Sequence, residues 1–250
     1  INMPIKCSLL FLMLFLCQNT YAQLGYPSSA IPVTLKQRAN AVIREMETIV
    51  DMRAPDQVVI TVKKVITVLN KNGDTDGSLH IFYNKNSVIK SIKGEIFDDY
   101  GKQVGKFNQT HFKDESAISN YSLFEDDRIK YYQPSMVIYP YTITYEYEIR
   151  NKQNLIIPDW YPHRDTDVAV EKNRYRFICK PEDEVNIKSY HLNQDAVKVT
   201  DEKASTYTWE VKQLSAFRSE PYSPPSSQYL PHVKIAPIKF AYYNTKGQYR

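Results

Sequence analysis

A chain of 250 residues with a formal net charge of +4, its acids and bases interspersed along the whole length, offers no basic stretch that would mark a nucleic-acid surface. Its length suffices for a core without disulfide staples, since a chain of this size buries roughly 70% of its unfolded surface. Twenty Tyr and ten Phe against seven Gly, with β-branched residues in alternating runs, point to strands rather than helices.

Residues 3–22 read as a secretory signal: Lys6 gives the positive start, Cys7 to Cys17 form an apolar stretch too short to span a bilayer, and Ala22 supplies the small residue before a cleavage that exposes Gln23. A lipoprotein reading through Cys17 meets the preceding Leu14-Phe15-Leu16, which puts a bulky Leu where a small residue is wanted. The expected localisation is therefore export to the periplasm or beyond, without a lipid anchor. The chain opens with Ile1 rather than Met, so Met3 or an upstream codon is the expected start. After the signal only Cys179 remains, and no internal disulfide can form, which suits a Gram-negative periplasm better than a eukaryotic extracellular space. No later apolar run is long enough to span a membrane.

From Thr34 to Met52 two periods compete. Leu35, Ala39, Val42, Ile43, Met46, Ile49 and Val50 fit a helical stripe with Thr34 as cap, while Val42 to Asp51 also alternates, and periodicity favours the helix. Gln57 to Leu69 is a long β run followed by the turn Asn72-Gly73-Asp74, which predicts a hairpin with Leu79 to Tyr83. Ser87 to Phe97 is the next strand, closed at Asp98 to Gly101. Ser135 to Arg150 alternates, with Ile143, Tyr145, Tyr147 and Ile149 on one face, and Pro140 within it requires a bulge or an edge. Asp167 to Cys179, Val185 to His191, Ala196 to Thr200 and Ser205 to Val211 complete an antiparallel series with short connections, as in a sandwich. The Pro-rich stretch from Ser219 reads as an ordered extended arm through residue 250, because Tyr222, Tyr229, Leu230, Val233 and Ile235 are spread through it. A β-sandwich domain is thus expected over 23–218.

The chemistry-bearing residues form no strong constellation. Asn72 to Gly77 imitates the start of a calcium loop, but Tyr83 stands where the closing Glu is required, and a plain turn is the simpler reading. Cys179 with His191 would suit a thiol hydrolase, against which stands a strand position that fits a small buried side chain. The five His are too scattered for metal-ligand spacing, so neither a metal nor a cofactor is expected. The best candidate binding surface is Trp160, Tyr161 and His163 with Tyr131 and Tyr141, because exposed rings stack on sugars or extended peptides; packing of those rings in the core or on a sheet face is the competing reading.

Several pieces in order, Val65 to Asn70 with Gly73, Tyr139 to Tyr147, Ile157 to Trp160, Glu220-Pro221, Leu230-Pro231 and Ala236-Pro237, resemble the uncharacterised amino-terminal domain that precedes a transglutaminase-like core in exported proteins of Gram-negative bacteria. The resemblance implies an all-β fold, a two-layer antiparallel β-sandwich with one short N-terminal helix. It reverses the helical reading of Ala41 to Met52 in favour of a strand and leaves the helix at Thr34 to Arg38. It also implies that the catalytic Cys, His and Asp lie beyond Arg250, making this a non-catalytic module whose partner is the transglutaminase-like domain of the same polypeptide and whose substrate is protein or peptide. A free-standing periplasmic module for glycan or peptide is the alternative, and a hydrolase working through Cys179 a third.

Overall fold

The computed structural model describes residues 25–54, 56–117, 126–218, 220, 222–225, 228–242 and 245–249. The signal-like segment, with Cys7 and Cys17, lies outside them. The fold is all-β. Its backbone is an eight-stranded sheet built from β1 (Ala41–Asp51), β2 (Val58–Val68), β4 (Ser87–Phe97), β5 (Gln103–Asn108), β8 (Tyr141–Asn151), β9 (Val168–Cys179), β11 (Val197–Thr200) and β12 (Ser205–Leu214), in the order β11-β12-β9-β1-β2-β8-β4-β5. Two smaller sheets cover one face: β3 (Leu79–Tyr83), β7 (Arg128–Tyr132) and β6 (Lys113–Ser116), and separately β10 (Val185–Tyr190) with β13 (His232–Pro237). A last hairpin, β14 (Lys239–Tyr242) and β15 (Thr245–Gln248), is latched to the body where Asn154 gives its backbone N–H to Ala241 O and accepts the Ala241 N–H on Oδ1 at 2.6 Å.

The covered face follows from alternation. Val58, Ile60, Val62, Ile66 and Val68 of β2 and Tyr141, Ile143, Tyr145, Tyr147 and Ile149 of β8 point into it. Because the second layer is in two pieces, the apolar interior is also in two. The first core joins Ile66, Val68, Ile143 and Phe107 to Leu79, Ile81 and Phe112. The second joins Val58, Ile60, Phe177 and Trp209 to Trp160, Val233 and Ile235, so the Pro-rich stretch contributes side chains to the interior of the sandwich. A third, small cluster on the opposite face seats α1 (Val33–Lys36) through Leu35 against Ile31, Val42 and Ala169.

β1 is a strand, as the resemblance implies, and the ambiguity of its sequence has a cause: an extra residue at Arg44 bulges the β1/β2 register, so its inward side chains run Ala41, Ile43, Met46, Val50, a spacing that imitates a helix. Two other expectations change. β2 forms no hairpin with β3. It pairs with β1 and β8, while β3 pairs with β7 in the covering sheet. The turn between them is a 3₁₀ turn in which Gly73 packs against the Asn40 carbonyl, leaving no room for a Cβ, so glycine serves close approach here rather than hairpin geometry. Second, the series is not wholly antiparallel: β1 and β9 run parallel, from Ala41 opposite Val168 to Asp51 opposite Ile178, and β10 leaves the large sheet to pair with β13. Pro140 precedes β8 after a cis peptide, outside the ladder.

Candidate functional site

The five aromatic and imidazole residues singled out in the sequence do not come together as one exposed surface. Trp160 is buried in the second core, stacked on Tyr175 at 5.5 Å, with its Nε1–H directed at Asn173 Oδ1 at 3.4 Å. Tyr141 is buried too, and its hydroxyl donates to Asp74 beside that of Tyr139, which ties the start of β8 to the turn after β2 and occupies the carboxylate that a calcium loop would need. Tyr131 lies in the covering sheet against His80 and donates to Glu115. Tyr161 stacks on His232, and the His163 ring bonds Val168 O at 2.7 Å; burial lowers its pKa. Cys179 has no exposed surface, its thiol approaches only Ser205 O, and burial followed by the Asp183 charge pushes its pKa up to about 11, the reverse of an activated thiolate.

Sequence reasoning missed two arrangements. The first lies on the open face of the large sheet, where one register row crosses six neighbouring strands with alternating charge: Glu210, Arg174, Glu47, Lys63, Glu146, Lys93. Arg174 bonds Glu210 at 2.6 Å and reaches Glu47 at 3.7 Å, and Glu146 sits between Lys63 at 3.9 Å and Lys93 at 3.4 Å. A groove of about 700 Å³ lies over the Glu47 to Lys93 part of this row, bounded by Tyr26, Lys106 and His111. That volume falls within the roughly 300–1,000 Å³ range of ligand clefts, and its floor offers donors and acceptors in alternation.

The second is on the covered face, at the seam between the two cores. Met46, Tyr145 and Tyr147 pack against both and stay partly exposed. Lys64 is the register partner of Met46 and Tyr145, at a position where β2 otherwise carries only aliphatic residues. Burial lowers the pKa of its amine, a shift only partly opposed by Asp165 and Asp76. Asp76 is raised to about 6, first by burial and then by the charge of Asp165. Burial also raises the hydroxyls of Tyr145 and Tyr147. Among the described residues, the side-chain polar atoms of Lys64, Tyr145, Tyr147, Asp76 and Asp165 have no hydrogen-bond or ion-pair partner. The signal for this site was one charged residue in the apolar phase of a strand.

Fold and site together define a β-sandwich with a split second layer, one charged open face and no assembled nucleophile among the described residues. The sequence matches, over residues 54–218, the family model of a domain of unknown function with a solved structure, DUF3857, and the chain belongs to that family. No curated protein matches it. Among solved structures, a Parabacteroides distasonis protein whose given name proposes a protease superposes with a TM-score of 0.69 at 14% identity, covering 79% of this chain and 40% of that one. An M1 zinc metallopeptidase from Deinococcus radiodurans (TM-score 0.35, 8% identity, 79% and 42% covered) and yeast LTA4 hydrolase (0.37, 9%, 94% and 33%) are more distant. This chain therefore spans less than half the length of each.

Proposed function

We propose that this chain is a non-catalytic β-sandwich module of a longer exported protein of the transglutaminase-like type, holding an extended segment of protein or peptide over its open sheet face for a neighbouring catalytic domain. The groove above the Glu47 to Lys93 row carries the reading. A polypeptide backbone alternates donors and acceptors and brings side chains of both charges, which suits a floor of alternating Lys and Glu better than a single-sign ligand would. Family membership, the ordered set of resembling segments and the longer solved neighbour support the place beside another domain. The composition of residues 3–22 supports export. The buried, deactivated Cys179 argues against a thiol hydrolase, and the buried Trp160 withdraws the ring on which a glycan-binding reading leaned.

The test is fluorescence anisotropy of labelled casein, an unstructured polypeptide, against the wild-type chain and the double reversal Lys63→Glu with Lys93→Glu. The expected result is binding that the reversal weakens about ten-fold, with a salt dependence that falls in parallel. Equal affinity of the two proteins would remove the groove from the proposal, and hydrolysis or cross-linking of casein by the chain alone would remove the non-catalytic assignment.

A further inference from the structure

The groove on the open face carries a finer inference, which rests on the reading of that groove as a polypeptide site. Two register rows form its floor. The outer row is Glu47, Lys63, Glu146, Lys93 and Asn108, and the inner row is Glu45, Val65, Thr144, Glu95 and Lys106. Each row crosses five strands, β1, β2, β8, β4 and β5. Four inter-strand steps of about 4.8 Å make the floor roughly 19 Å long, enough for about six extended residues. The next row, Val42, Thr67, Thr142 and Phe97, is buried beneath the N-terminal segment that leads into α1. Tyr26 of that segment stands where the covered part of the face gives way to the open part. Its carbonyl accepts from the Thr142 hydroxyl at 3.2 Å, and its ring packs T-shaped against Phe97 with centroids 6.0 Å apart.

Charge is unevenly placed along this floor. Lys172 bonds Glu45 at 2.9 Å at one end of the inner row, and Lys106 reaches Glu95 at 3.4 Å at the other. Between them Val65 and Thr144, register partners on β2 and β8, form with the Tyr26 wall an uncharged stretch inside a charged floor. An apolar side chain set there is removed from water against an aliphatic group, a threonine methyl and a ring. A charged one would lose water where the neighbouring charges are already paired with one another.

We propose that the groove selects polypeptide segments by one large apolar side chain, best an aromatic one, seated between the Tyr26 ring and the Val65–Thr144 step. Charged residues of the segment lie roughly two or three positions to each side, where an extended chain reaches the charged ends of the floor. Tyr26 is then the specificity-determining residue, because its ring can pack against another ring. The charged rows hold the rest of the segment and set no preference among apolar side chains at its centre.

Fluorescence anisotropy with labelled, end-blocked peptides of Ser, Lys and Glu that carry Phe, Leu, Ala or Asp at the centre tests the assignment. The Phe peptide is expected to bind about ten-fold or more tightly than the Ala peptide, with Leu between them and Asp weakest, as burial of an apolar side chain implies. Tyr26→Ala should reduce the Phe-to-Ala ratio to less than about three-fold. The double reversal Lys63→Glu with Lys93→Glu should leave that ratio unchanged. Thr144→Lys, at a half-buried position of the open face, sets a charge into the uncharged stretch and should reduce the ratio likewise. It carries the test if Tyr26→Ala loses its near-ultraviolet circular dichroism. Equal affinity of the Phe and Ala peptides, or an unchanged ratio in folded Tyr26→Ala or Thr144→Lys, would overturn the proposal. If casein binds through the charged row while the peptides bind alike or not at all, the selectivity falls and the open-face reading stands; if casein does not bind, both fall together.

Discussion

The two faces of the large sheet use the same side chains under opposite rules. On the open face lysines, arginines and glutamates are paired across strands in a row, each within reach of its neighbour's opposite charge and of solvent. On the covered face Lys64 and Asp76 are half-buried with no hydrogen-bond or ion-pair partner among the described residues, and burial works against the charged form of each. Exposed pairs of the first kind contribute only about 0–1 kcal/mol each, and serve register and solubility more than stability. Charges of the second kind work against the fold, because desolvation is repaid only by close, hydrogen-bonded partners. The fold therefore carries the seam rather than depending on it, and its stability comes from the cores on either side.

The largest effect should come from that apolar packing. Phe177 is fully buried in the second core, and Phe177→Ala is expected to cost about 3–5 kcal/mol by lost burial and the cavity left behind, read from urea denaturation. Since Met46, Tyr145 and Tyr147 bridge both cores, the loss should appear as one earlier transition rather than as separate melting of one half. Two resolved transitions would show that the seam divides the sandwich into independent units.

A smaller effect isolates the seam itself. The folded pKa of Asp76, about 6, stands above the ordinary 3.8, so between these values the folded state holds a proton that the unfolded state releases. Stability linked to this group is present below about pH 4 and lost as pH rises through 6. Asp76→Asn removes that loss: the variant should match wild type near pH 4 and exceed it by roughly 1–2 kcal/mol at pH 7.5. A variant less stable than wild type at pH 7.5 would mean that the Asp76 carboxylate is a net stabilising partner of Lys64.

How far the sequence showed this contrast depended on whether the signal was local. Val58 to Val68 and Tyr141 to Asn151 announced themselves by alternation, and the all-β architecture followed from them. β1 was obscured by one bulge residue, Arg44, which shifts the phase of a strand by one and imitates a helical stripe; the resemblance, not the periodicity, resolved it. Asn72-Gly73 suggested a hairpin because turn chemistry is the same whether the chain reverses within a sheet or crosses to another layer, and only the Asn40 carbonyl at Gly73 distinguishes the two. The burial of Trp160 depends on Tyr175 and Val233, and neither the open-face row nor the seam can be seen until register brings β1, β2, β8 and β4 side by side.

The smallest predicted effect has the opposite sign of pH dependence and so sharpens the comparison. Asp114, on the outer side of the covering sheet, accepts from the Tyr83 hydroxyl at 2.6 Å, Lys130 Nζ at 2.7 Å and Arg128 Nε at 3.0 Å. Burial alone would raise its pKa, but the bonds from Lys130, Tyr83 and Arg128 outweigh it and hold the carboxyl at about 2. Its contribution is therefore present above about pH 4 and lost as pH falls through 2, whereas that of Asp76 is lost as pH rises. Because the cluster is exposed to water and salt, Asp114→Asn should cost less than about 1 kcal/mol at pH 7, and the difference from wild type should close toward pH 2 and shrink in high salt. Thermal melts of the two Asn variants from pH 2 to 8 should then diverge from wild type in opposite directions at neutral pH, and parallel curves would mean that the carboxylate partners, rather than burial, govern both sites.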